Sequence, residues 1–238
     1  MMKSELLKLR YSRGLTAAML VMVGLGTAIV ALIAVAEKAS VRLDLVAGSW
    51  SLPGLFMLVV GALHVTSEYS HNTMRTMVLN VPRRLRVVTA KSVSLAVYCG
   101  FWMLVWIVLS MLAVVALAPN GYHWANDSGV VLVELVIAMV LLALIAAGIG
   151  FLVRSTPGAI VLVFGLVFVA PIVTLIPIEA VQAQVPRLLI NNLIMAMVST
   201  GDLAPEMFLS RWVATAVMAG FALAALALGG LRFAKSDV

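Results

Sequence analysis

The chain has 238 residues, of which 63% are hydrophobic and 11% charged, with a formal net charge of +6 and a mean hydropathy of +1.14. A water-soluble domain is about 45–50% apolar and about 25% charged, so this chain lacks the polar surface to cover a soluble globule. That excludes a soluble enzyme, a disordered regulator and a free nucleic-acid-binding domain; the single Cys99 also permits no internal disulfide and fits no multi-cysteine metal spacing.

In chain order, residues 2–13 set Met2, Leu6 and Leu9 on one helical face, with Lys3, Lys8 and Arg10 elsewhere. This suits an amphipathic helix lying in the membrane interface, and equally the basic flank of a first span. Residues 15–36 carry no charge and are long enough to cross a bilayer. That apolar stretch exceeds the roughly 7–15 residues of a cleavable signal core, so it is read as a retained span despite the small run Ala34-Val35-Ala36. Further spans are expected at residues 50–67, 93–118, 130–153, 158–177 and 212–231, six in all.

Two connecting stretches have a pattern of their own. Between the second and third spans, Met74, Met77, Val78 and Val81 recur at i, i+3, i+4 and i+7, the mark of one apolar helical face. Pro82 ends that helix, and Arg83-Arg84-Leu85-Arg86 follows as a basic hinge. A short helix hung between two spans is a handle for a cytoplasmic partner; a loop whose arginines bind only lipid phosphates accounts for the same residues. Between the fifth and sixth spans, residues 188–198 (LLINNLIMAMV) form an apolar half-span around Asn191 and Asn192. At about 1.5 Å per residue such a stretch reaches roughly 16 Å, enough to enter a membrane but not to cross it. A re-entrant or interfacial hairpin is expected there.

The cations set the orientation. Twelve fall on the side of the termini, among them Lys3, Lys8, Arg75, Arg83, Arg84 and Lys91, against four (Lys38, Arg42, Arg187 and Arg211) on the other. Positive-inside then puts both termini in the cytoplasm, which requires an even number of spans. The fold class is an all-α integral membrane protein, one six-helix domain over residues 1–238.

Chemistry is sparse. The sequence has no G-x-x-x-x-G-K-[ST], no H-E-x-x-H and no G-x-S-x-G. Glu134, one turn into the fourth span, is a functional candidate because it is an intramembrane carboxylate, although its shallow depth favours a headgroup-level side chain that reaches water. His64 stands near the inner end of the second span. Ala143, Ala146, Ala147 and Gly150, and Gly24 with Ala28, are small residues at spacings that allow close helix approach, within the chain or between copies. Pro171 and Pro177 should break the outer end of the fifth span.

The run Glu68-Tyr69-Ser70-His71-Asn72-Thr73-Met74-Arg75-Thr76, then Val81-Pro82-Arg83-Arg84-Leu85-Arg86-Val87 and Ala90-Lys91, resembles the first cytoplasmic loop of ABC type-2 transporter permeases. Asn72 stands where Gly is commoner in that family. The opening Glu5-Leu6-Leu7-Lys8-Leu9-Arg10, the run Arg154-Ser155-Thr156-Pro157-Gly158-Ala159 and the closing residues 233–238 add to the likeness. The resemblance implies a bacterial cell-membrane permease of six spans that pairs with a second permease copy. It implies a separate P-loop ATPase subunit, holding ATP and Mg, that docks on a coupling helix between spans two and three. It further implies export of an amphipathic or hydrophobic solute by alternating access. Glu68, Thr73, Arg75, Thr76, Arg83 and Arg84 are then the expected coupling residues, and the chain needs no catalytic residue, cofactor or metal of its own. An intramembrane enzyme using Glu134 or His64, or a permease-like sensor that does not transport, are the alternatives.

Overall fold

The computed structural model describes residues 2–37, 40–70, 84–124, 126–175, 179–199 and 208–235. Six of its helices are long and apolar enough to cross a membrane: Arg13–Ala36, Ser51–Tyr69, Arg86–Leu117, Ser128–Val153, Thr156–Val173 and Arg211–Ala234. The chain is accordingly an all-α, multi-pass membrane protein. In chain order the helices are α1 (Met2–Tyr11), α2 (Arg13–Ala36), α3 (Leu45–Gly48), α4 (Ser51–Ser70), α5 (Arg84–Leu117), α6 (Ser128–Val153), α7 (Thr156–Phe164), α8 (Glu179–Leu188), α9 (Ile190–Val198) and α10 (Arg211–Lys235). Two short strands, β1 (Val41–Arg42) and β2 (Tyr122–His123), pair in parallel with Val41 opposite Tyr122.

The bundle is organised around α6. Its sequence is apolar on every side, the pattern of a helix enclosed by others rather than one with a single inward stripe. It packs against α4, α5, α9 and α10, and 61% of its apolar window is buried, against 17% for Thr156–Val173. The fifth span therefore lies at the periphery, and α4 and α6 form the core. Gly150, Ala143, Ala146 and Ala147 are buried in α6, so this small-residue stripe serves packing inside the chain. Gly24 and Ala28 on α2 are exposed.

The fifth span is not one α-helix. After α7 the backbone widens into a π turn at Gly165–Val169 and then tightens into a 3₁₀ segment at Ala170–Leu175. Pro171 supplies the cause, since it has no N–H to return to the carbonyl of Val167 four residues back. The Asn191 Nδ2 donates to that carbonyl at 3.0 Å. Asn192 Nδ2 likewise donates to the Pro186 carbonyl at 2.9 Å, at the break between α8 and α9. Buried backbone acceptors need such donors where water is scarce, which gives the Asn-Asn pair its place in an otherwise apolar half-span.

Two expectations change. The helix of the third span is described from Arg84, nine residues before the expected Val93, so Arg84-Leu85-Arg86 is helical and not a hinge. The fifth span leaves α-helical geometry from Gly165, ahead of the expected Pro171, and Pro177 lies outside the described residues. The half-span expected at residues 188–198 is one helix, α9, preceded by α8, and it packs on α6 and α10 with Leu193, Ile194 and Met197 buried. The amphipathic helix expected between spans two and three lies outside the described residues.

Candidate functional site

One end of the bundle, where α1, the end of α4 and the start of α5 meet, holds a buried cluster of charge. Lys91 is 1% exposed, and its ammonium lies 2.9 Å from Glu5 Oε2 and 2.8 Å from Glu68 Oε2. Lys8, half exposed, pairs with Glu68 Oε1. Two cations and two carboxylates thus balance, which is the condition for keeping such groups out of water. The sequence positions them by helical register. Glu5 and Lys8 are three apart and share a face of α1, the same side on which Leu9 is buried. Glu68 stands in the last turn of α4, and Lys91 two turns into α5. His64, one turn before Glu68, is also buried, and its Nε2 has no hydrogen-bond partner among the described residues.

A second set of contacts extends this end towards the last span. Arg154 ends α6 in the left-handed region, at φ 61°, a conformation that costs a side chain with a β-carbon. Its guanidinium donates to the Arg232 carbonyl at 2.9 Å and stands 5.9 Å from the Tyr69 ring centroid, contacts that offset the strain. The Thr156 hydroxyl donates to Thr66 Oγ1 at 3.0 Å, and Phe151 packs on Phe233 with ring centroids 5.9 Å apart. Glu5, Glu68-Tyr69, Lys91, Arg154, Thr156 and Phe233 come from separate stretches of the sequence and meet here.

Of the expected coupling residues, Glu68 belongs to this buried cluster and is 2% exposed. Arg84 opens α5. Thr73, Arg75, Thr76 and Arg83 lie outside the described residues. Sequence reading missed Lys91 as the shared partner of Glu5 and Glu68. The available signal was the interruption of an apolar stretch by Lys91, a charge that must find a counter-ion if it is buried.

Glu134 departs from its expected setting. It is 2% exposed and does not reach out to headgroups: the Thr215 hydroxyl, on α10, lies 2.9 Å from its Oε2 and 3.0 Å from the Arg211 carbonyl. One hydroxyl proton serves one acceptor at a time. Replacing Thr215 with Val should leave a buried carboxyl short of a donor and cost roughly 1–3 kcal/mol. A lower melting temperature of the purified protein, restored by Thr215→Ser, is the expected result. An unchanged melting temperature in Thr215→Val would show that Glu134 is satisfied without it.

At the opposite end from the charge cluster, a strap of polar contacts joins three connections. Arg42 binds Asp44 through Nε at 3.0 Å and Nη2 at 2.7 Å. That hydrogen-bonded carboxylate raises the Arg42 guanidinium above its ordinary value. Asp127 lies 3.4 Å from Arg42 and 3.7 Å from Arg211, and Arg211 Nη2 donates to the Ser199 carbonyl at the end of α9. The exposed members of this strap are screened by solvent and hold orientation more than stability.

Among the described residues, no cluster of three or more His, Cys, Asp or Glu is arranged to hold a metal ion. The chain matches no protein-family model and no curated protein.

Proposed function

We propose that the chain is the membrane-spanning permease subunit of an ATP-driven ABC exporter, set in a bacterial cell membrane with both termini in the cytoplasm. It moves an amphipathic or hydrophobic solute outward by alternating access. Energy comes from a separate P-loop ATPase subunit, in two copies, that holds ATP and Mg. A second permease copy completes the pathway, membrane lipid surrounds it, and nucleic acid has no part.

One observation carries this reading. The residues on which the resemblance rests are dispersed along the sequence, yet Glu5, Glu68, Tyr69, Lys91, Arg154 and Phe233 gather at one end of the bundle. That end bears the start of the chain, the end of the last span and both helices that flank residues 71–83. A charged brace joining the helices that flank those residues is what a partner-driven permease needs, because force applied between two spans moves them only if their anchors do not yield. Coupling contacts then fall to Thr73, Arg75, Thr76, Arg83 and Arg84, with Glu68 as the anchor behind them.

Affinity purification in mild detergent tests the proposal. A tagged chain should bring down a P-loop ATPase in comparable molar amount. Reversing charge at Arg75 and Arg83 together should release that partner while the chain still inserts and elutes as one species. Recovery of the chain without an ATPase would overturn the assignment.

A further inference from the structure

A pocket of about 170 Å³ lies where α4, α6, the π turn and α9 meet, lined in part by Trp50, Gly54, Leu58, Leu142, Phe168 and Asn191. Its size suits one aromatic ring, since an apolar cavity of about 150 Å³ holds benzene. Three features set it apart from an ordinary packing gap. Asn191 Nδ2 is committed to the Val167 carbonyl, which fixes the amide, while Asn191 Oδ1 is buried with no donor among the described residues. A buried acceptor left in that state calls for a partner. The wall beside it is built from the π turn, a backbone irregularity that recurs at functional sites. Trp50 stands over Gly54, where an added β-carbon would meet the indole at 3.5 Å, so the ring forms one side of the space.

We propose that this pocket binds the ring-bearing, hydrogen-bond-donating end of an amphipathic solute. A hydroxyl or amide N–H is delivered to Asn191 Oδ1 while the ring packs against Trp50, Leu142 and Phe168. An aromatic pair of this kind prefers an offset or edge-on arrangement. A carboxylate is rejected there because its lone pairs face the Asn191 oxygen. Reading that solute as transported cargo rests on the permease proposal; the binding itself does not.

The test uses the purified full chain in phosphatidylcholine nanodiscs, without any ATPase. The probe is a phenyl diazirine bearing a hydroxymethyl group, set against the same diazirine lacking it. Photolabelling should concentrate on peptides containing Trp50–Leu58 and Asn191, with about a fivefold preference for the hydroxylated probe, the worth of one net neutral hydrogen bond. Asn191→Leu should abolish the preference. Gly54→Leu, which fills the pocket and leaves the bond from Asn191 to Val167 in place, should abolish the labelling. Equal labelling by both probes, or labelling that neither variant changes, would overturn the site. A pocket labelled as expected in a chain that exports nothing sustains the site and removes the permease reading. An unlabelled pocket in a working exporter does the reverse.

Discussion

Lys91→Met should be the most damaging single change at the charged end of the bundle, lowering stability by about 3–5 kcal/mol, as expected when one member of a buried ion pair is removed. The reason lies in what the change leaves behind. Without Lys91, Glu68 keeps only Lys8, whose side chain is 49% exposed, and Glu5 loses the ammonium 2.9 Å away while remaining buried. An uncompensated carboxylate in that setting has few routes to water. Glu5→Gln should cost less, because Lys91 retains Glu68 at 2.8 Å. Glu68→Gln should also cost less, since Lys8 can turn into solvent and Lys91 retains Glu5. The combined Glu5→Gln, Glu68→Gln, Lys91→Met chain should recover most of the loss, because the one ion left, Lys8, is half exposed and can turn into solvent. Thermal unfolding of the four variants in detergent, followed by size-exclusion recovery, gives the ranking. A Lys91→Met chain as stable as the parent would mean that the cluster is hydrated and its pairs unimportant.

That ranking also separates stability from coupling. If the brace transmits force to α1, the triple variant folds but loses partner-stimulated transport. Under the permease proposal, a cluster that only holds the fold would leave the triple variant with the parent's partner-stimulated activity.

Long apolar runs made the six spans legible, because a bilayer demands about 20 residues of one character and few other structures do. The helical residues before Val93 were hidden by their chemistry. Arg84, Arg86 and Lys91 interrupt the apolar run that marks a span, so this stretch reads as a basic flank. The break in the fifth span was announced by Pro171, but the π turn before it was not, since that depends on Asn191 arriving from another helix to take the freed carbonyl. Glu134 was misjudged because depth along a helix says nothing about which face the residue occupies. Its face is set by α10, and its partner Thr215 is 81 residues away in sequence. The charge cluster has the same origin: Glu5 and Lys91 are 86 residues apart, and no local pattern joins them.

Gly61→Val should unseat α4 from α6, and Gly148→Val should unseat α10 from α6. A β-carbon at Gly61 would fall on the Ala143 carbonyl oxygen and within 3.0 Å of its Cα. At Gly148 it would lie 2.5 Å from the Ala225 carbonyl carbon and 2.7 Å from its Cβ. These neighbours are backbone, or fixed to it, and cannot rotate away, so the helices themselves must separate. In lipid the attraction between spans is mainly close van der Waals contact, which decays steeply with a gap of a fraction of an ångström. Overpacking of this kind costs about 1–3 kcal/mol in a well-packed core, and because α6 is gripped on two sides, the double variant should lose close to the sum unless the seams are coupled. Gly24→Ala on α2 and Gly220→Ala on α10, where an added β-carbon meets nothing within 4 Å, are the matched controls and should be neutral or gain up to about 1 kcal/mol from lower backbone freedom. The measurement is the melting temperature of each single variant in one detergent. A Gly61→Val chain that melts with the Gly24→Ala control would mean that α4 and α6 do not meet backbone to backbone, and the packing around α6 would have to be redrawn.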